Sequence, residues 1–250
     1  MEKIHKQLIS GLRKYFKGSG AARAVIGISG GVDSSLTLKL GVDALGAENV
    51  TAISMPENGI SSTENSIHAK TLAEAMGVEF FTVPINQFLI PFNVTPWKST
   101  SLASQNLKAR IRMALLYHYA NCKNALVLGT SNKSELLLGY GTKYGDLACD
   151  IEVLGDLYKE DVFALAGFVG LPPEIINKKP SAELYPDQTD EADLGGSYSE
   201  IDPILHRLDL GMDKLIEHGM NAMLVHGVFG RYEKNRHKSV APPIIKVKRQ

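Results

Sequence analysis

The chain has 250 residues, 44% of them apolar and 22% charged, a composition that supports a sizeable packed core and excludes disorder as the main state. Basic and acidic residues balance at 27 each, so no overall field holds the protein to nucleic acid or to an anionic membrane. Charge is segregated locally: residues 181–200 carry six acids and no Lys or Arg, whereas residues 231–250 carry seven Lys or Arg against Glu233 alone.

In chain order, Ile4, Leu8, Leu12 and Phe16 recur at i, i+4. This predicts an amphipathic helix over 1–17, docked on the core or lying on a membrane surface. Ala24–Ile28 reads as a buried strand. Asp33–Leu45 reads as a helix with Leu36 and Leu40 on one face, and Val50–Ser54 as a second strand. Ser61-x-x-Glu64 predicts a capped helix through Met76, stopped by Gly77. Val78–Val83 is a third strand. The stretch 84–97 contains Pro84, Pro91 and Pro96, which breaks the pattern and is unlike a membrane span. A long helix follows over about 102–120, with Leu107, Ile111, Leu115 and Tyr119 in line. Ala125–Leu128 is a fourth strand and Ile151–Val153 a fifth. Lys159–Val169 is a helix ended by Gly170 and Pro172. Residues 177–196 show no period and read as a long loop, functional or mobile. Helical patterns return at Ser199–Leu210, Met212–His218 and Ala222–Asn235.

Strands alternating with helices predict an α/β fold: an open, mostly parallel five-stranded sheet with helices on both faces, Rossmann-like. One domain is expected over 1–250, with a helical C-terminal segment 199–238. Cys122 and Cys149 have neither metal-ligand spacing nor disulfide-framework density, which points to reduced thiols and a cytoplasmic setting. The basic N-terminus has no signal-type apolar run.

The chemistry is concentrated at the end of the first strand. Gly27-Ile28-Ser29-Gly30-Gly31-Val32-Asp33-Ser34-Ser35 runs from a strand into a helix start, where an open parallel sheet binds ligands. The glycines let backbone N–H groups approach an anion, the serines add hydroxyls, and the helix end adds partial positive charge. A G-x-x-x-x-G-K-[ST] loop and a G-x-G-x-x-G fingerprint are both missing. S-G-G-x-D-S instead resembles the loop of ATP pyrophosphatases, in which Asp33 is a natural Mg²⁺ ligand. After the fourth strand, Gly129-Thr130-Ser131-Asn132-Lys133-Ser134-Glu135 reaches the same sheet edge. A capped helix start accounts for this segment alone; beside the first loop, Glu135 is a second carboxylate for the same ion.

Together GISGGVDSS (27–35), QNLKARIRM (105–113), GTSNKSE (129–135), TKYGD (142–146), the loop from Lys178 to Gly195 and RHK (236–238) resemble the ammonia-dependent NAD synthetases, over residues 20–240. The resemblance implies an adenine-nucleotide α-hydrolase-like fold. It also implies amidation of deamido-NAD by ammonia through an acyl-adenylate, with ATP and Mg²⁺. It implies that Gly27, Ile28, Ser29, Gly30, Gly31, Val32, Asp33, Ser34, Thr130, Lys159 and Ser181 serve ATP, and that Asp33 and Glu135 hold Mg²⁺. Arg110, Lys143, Asp150, His237 and Lys238 would contact deamido-NAD, and Asp146 would receive ammonia. Leu147 and Ala148 stand where many members have two glycines. Family members are homodimers, so a homodimer is expected, with no nucleic-acid or membrane partner. In the 178–195 loop, Lys178 or Lys179 is expected to face inward and the acids outward. The alternatives are another ATP pyrophosphatase that adenylates a different acceptor, and a non-catalytic adenine-nucleotide sensor. A glutamine-dependent synthetase is disfavoured, since 250 residues leave no room for an amidase domain.

Overall fold

The computed structural model describes residues 1–181, 185 and 188–248. The sheet comprises β1 (Arg23–Gly27), β2 (Val50–Ser54), β3 (Glu79–Thr82), β4 (Ala125–Gly129) and β5 (Ile151–Glu152). Its order is β3-β2-β1-β4-β5, and every pairing is parallel. The helices are α1 (Glu2–Ser19), α2 (Val32–Leu45), α3 (Thr63–Ala75), α4 (Asn86–Leu89), α5 (Ser101–Lys123), α6 (Lys133–Leu138), α7 (Lys159–Phe168), α8 (Pro173–Ile176), α9 (Asp190–Leu194), α10 (Tyr198–Leu205), α11 (Met212–Glu217) and α12 (Ala222–Asn235).

The period of two along each strand sorts the core into layers. Ala24 and Ile26 of β1 and Leu128 of β4 pack with Leu36, Leu40, Leu165 and the buried face of α1. Val25 and Val127 point the other way, against Ile111 and Ala120 of α5. A third apolar cluster, with Leu138, Ile201, Leu215 and Val225, joins α6 to the C-terminal helices. The α1 stripe is therefore a docking face: Ile9, Leu12 and Phe16 are buried, and α1 packs on α2. Among the described residues no helix is long and apolar enough to cross a membrane.

Local departures have local causes. Ser62, not Ser61, caps α3: its Oγ accepts the Asn65 N–H at 3.4 Å, while Ser61 Oγ is taken by the Glu57 N–H. Residues 84–97 form α4 and a 3₁₀ turn over Ile90–Val94. The loop around 190 contains α9, capped by Thr189 Oγ1; a five-residue helix is too short to express a period of 3.6.

The order of the sheet positions everything functional. The chain builds β1, β2 and β3 outward in one direction, then returns through α5 to lay β4 on the other side of β1. A crevice opens at such a reversal, between the carboxyl ends of β1 and β4. The loops that leave those two ends are the glycine loop and the Thr130–Asn132 turn.

A buried pin holds α6, α7 and α10 around that crevice. Asp202 is fully buried; its carboxylate accepts the Ser134 hydroxyl at 2.5 Å and the Glu160 N–H at 3.1 Å. Ser134 Oγ in turn accepts the Lys159 N–H. Asp202→Ala strips partners from buried donors at two helix starts. It is expected to cost about 2–4 kcal/mol in denaturant unfolding, with Asp202→Asn losing less.

Candidate active site

The glycine loop is braced by its own side chains. Ser29 N–H donates to Ser34 Oγ at 3.2 Å, Ser34 Oγ donates to Gly31 O at 3.1 Å, and Gly31 N–H donates to Ser29 Oγ at 3.3 Å. The serine hydroxyls thus shape the loop. Gly30 has φ +82°, and a Cβ there would collide with the Asn65 carbonyl oxygen. Only glycine lets α3 lean this close over the loop.

Behind the loop lies a charged centre built from three elements. Lys159, at the start of α7, is 1% exposed. Its Nζ is 2.6 Å from Asp33 Oδ2 at the start of α2 and 3.3 Å from Glu135 Oε1 in the first turn of α6. Asn132 knits the carboxylates together. Its Nδ2 donates to Asp33 Oδ1 at 2.9 Å, while its backbone N–H and its Oδ1 make a reciprocal capping box with Glu135. Burial pushes Glu135 up to about 8, with Asp33 and Asp190 adding and Lys159 opposing. For Lys159 burial works against the charge, but Asp33 and Glu135 outweigh it and hold the ammonium above its ordinary range. Asp190 is buried beside this centre and accepts the Tyr140 and Tyr198 hydroxyls at 3.0 and 3.3 Å. It corrects the expectation that the acids of this loop face outward; Glu183 and Asp187 lie outside the described residues. Asp193 accepts Gln188 Nε2 and the Tyr140 hydroxyl, and Arg231 donates to its carbonyl.

A cavity of about 1630 Å³ runs from the glycine loop past this centre to α12. That exceeds the ordinary range for one small ligand, roughly 300–1,000 Å³. Gly27–Ser29, Gly31–Ser34, Thr130, Glu135, Asp146, Lys159, Ser181 and Lys238 line it. Asp146 is exposed on the cavity wall. The surrounding protein raises its carboxyl above the usual range, with the Thr142 N–H and Lys238 opposing.

Gly30, Arg110, Lys143, Asp150 and His237 are not among the cavity-lining residues; Gly30 is buried beneath α3. Arg110 Nη2 donates to Lys143 O at 3.3 Å, and Lys143 Nζ to His237 O at 2.5 Å, so three of them form one chain along the rim. Asp150 accepts the Val127 N–H at 2.7 Å and braces β4. Lys238 Nζ donates to Gly139 O and Gly141 O at 2.7 and 3.0 Å. Sequence reasoning gives Ser131 or Asn132 as the cap of the helix that holds Glu135, and Asn132 is that cap; it misses the Asn132 bond to Asp33 and the burial of Asp190, both of which tertiary packing sets without a local mark.

The fold and site define a nucleotide-binding α/β protein whose glycine loop lacks a lysine and whose buried lysine comes from a distant helix. The NAD synthase family model matches residues 4–242, and the chain belongs to that family. A relative from Archaeoglobus fulgidus, an NH₃-dependent NAD⁺ synthetase, is 43% identical over 99% of this chain and 98% of its own. The corresponding enzyme of Fusobacterium nucleatum is 39% identical, covering 100% and 97%. Among solved structures, the NH₃-dependent NAD synthetase of Campylobacter jejuni superimposes with a TM-score of 0.85 at 37% identity, over 98% of both chains. The NMN synthetase of Francisella tularensis superimposes with a TM-score of 0.86 at 30% identity, again over 98% of each.

Under the floor of the site, at the β4–β5 edge, the Glu152 carboxylate packs where a side chain on Gly129 would stand. Burial raises it from 4.5 to about 7, against the Cys149 thiol and the Ser131 backbone. The folded chain therefore keeps a proton that the unfolded chain has lost, and stability falls as pH rises from about 4.5 to 7. Glu152→Gln is expected to remove this slope. Its thermal stability relative to the parent should rise across that window by the equivalent of about 1–3 kcal/mol, then level off. A parallel pH dependence in both proteins would contradict the assignment.

Proposed function

We propose that the chain amidates deamido-NAD with ammonia at the expense of ATP, releasing AMP and pyrophosphate. One observation carries the reading beside the family match. Two loops at the topological reversal bring Asp33 and Glu135 onto a single buried cation, next to a glycine loop with free helix-start N–H groups.

The difficulty is electrostatic and chemical. A carboxylate resists ammonia because it is already an anion and lacks a leaving group. In the first step the nicotinate carboxylate oxygen attacks the α-phosphorus; the bond to the β-phosphate oxygen breaks, giving an acyl-adenylate and pyrophosphate. In the second, ammonia attacks the acyl carbon, AMP leaves with the carboxyl oxygen, and nitrogen gives up a proton. No residue need act as a covalent nucleophile.

Gly27–Ser34 cradle the phosphates in this reading, with the N–H groups at the uncapped start of α2 as donors, and Thr130 and Ser181 supply hydroxyls along the ATP. The donor chemistry of Asp33 and Glu135 fits Mg²⁺, which takes one or two carboxylates and completes its shell with water and phosphate oxygens. Mg²⁺ there would neutralise the phosphate charge that otherwise repels the incoming carboxylate. Lys159 offsets the same charge from behind. In this reading Asp146, on the cavity wall with Lys238 nearby, holds ammonia and takes the proton that nitrogen loses.

Arg110, Lys143, Asp150 and His237 contact the dinucleotide from the rim in this reading, at a boundary with a second copy of the chain. Phe88, Ile90, Phe92, Trp97 and Leu102 expose an apolar band just before and within α5, the helix that carries Arg110, as an intersubunit surface would. The homodimer is cytoplasmic in this reading, as the two free thiols suit. Sedimentation at micromolar protein is expected to give a two-chain particle, and Trp97→Asp a single-chain one.

With ATP, Mg²⁺, ammonium and deamido-NAD, AMP and NAD are expected to form in equal amounts. Glu135→Gln should fold normally and lose about 10²–10³ in turnover, the usual cost of one electrostatic contact in the transition state. AMP release with another nucleotide acceptor and none with deamido-NAD would refute the proposal. Nucleotide binding without turnover would mark the chain as a sensor.

A further inference from the structure

The cavity holds a second buried ammonium that the reaction as written does not use. Lys178 lines the cavity, and its Nζ is sealed from solvent with no hydrogen-bond partner among the described residues. A charged group in that condition is costly unless a ligand supplies the counter-charge. Lys159 is different: its charge is already shared between Asp33 and Glu135. Lys178 Nζ, unlike Lys159 Nζ, has no carboxylate partner among the described residues.

Its place in the chain ties it to the phosphate end of the cavity. It follows α8, which packs on α2, the helix that begins at the glycine loop. The buried Ile175 of α8 shares the core with Leu36 and Leu40. Two residues beyond Lys178, Pro180 O accepts the Asp190 N–H at 2.9 Å, and the Asp190 carboxylate lies beside Lys159. Lys178 is therefore anchored on both sides to elements that frame the glycine loop. The rim chain of Arg110, Lys143 and His237 is built on other elements. A lysine stem has the freedom to swing its Nζ from the wall onto a phosphate oxygen.

We infer that Lys178 binds the pyrophosphoryl end of ATP and, after the first step, the departing pyrophosphate. This rests on the proposed ATP-cleaving reaction and deepens it. Charge accumulates on the pyrophosphate as its bond to the α-phosphorus breaks, so a cation there favours departure as well as binding.

Inorganic pyrophosphate is the direct probe. Titration calorimetry with the full-length chain and Mg²⁺ should give a dissociation constant at least tenfold weaker for Lys178→Met than for the parent. Lys178→Arg should recover most of the loss. In steady state, Lys178→Met should raise KM for ATP and leave KM for deamido-NAD within twofold. Lys70→Met, on the exposed face of α3, controls for loss of one surface charge. Thermal unfolding of both variants checks that the fold persists. Equal pyrophosphate affinity in parent and Lys178→Met overturns the inference, as does a change confined to KM for deamido-NAD or a parent that does not bind pyrophosphate. If Lys178→Met weakens pyrophosphate but the parent makes no NAD, the inference stands and the proposed acceptor falls.

Discussion

The site depends on one ammonium held by two carboxylates that the chain brings from far apart. Lys159 meets Asp33 and Glu135 only because the order of strand addition reverses, which lays β4 beside β1. Each carboxylate stands in the first turn of a helix that follows a strand end, where the helix dipole favours negative charge. Yet Glu135 is buried enough that burial works against its charge and raises its carboxyl. The lysine opposes that effect. One ammonium faces three carboxyl groups there, Asp190 being the third, so a further cation and an anionic substrate complete each other.

Packing around this centre is specific where chemistry demands it. Gly30 allows α3 to close on the glycine loop. Asn132 serves both carboxylates, Asp33 through its side chain and Glu135 through its backbone N–H. Asp202 fastens the starts of α6 and α7 to α10 from below. The cavity then extends well past the phosphates towards Lys238 and α12, which gives room for a second nucleotide. The rim residues form a connected chain at its outer edge, so dinucleotide recognition in this reading belongs partly to the surface and to a neighbouring copy.

Much of this was legible in the residues. Apolar runs such as Ala24–Ile28 and Ala125–Leu128 marked buried parallel strands, and their alternation with helices implied the sheet. Once β1 and β4 were adjacent, Asp33 and Glu135 had to meet, because both follow strand ends at the same edge. Legibility stopped where tertiary packing decides. Nothing local distinguishes Asp190 from the other acids of its loop, yet it alone among the described acids there is buried. Nothing local says that Asp150 spends a carboxylate oxygen on the β4 backbone, or that the Ser29 and Ser34 hydroxyls turn inward to shape their own loop.

The most direct measurement is a crystal structure of the chain with Mg²⁺ and an ATP analogue that resists cleavage. The account predicts the triphosphate over the glycine loop at the start of α2, and the metal ion bound by Asp33 and Glu135 together. A triphosphate seated elsewhere in the cavity, with the ion away from both carboxylates, would contradict it.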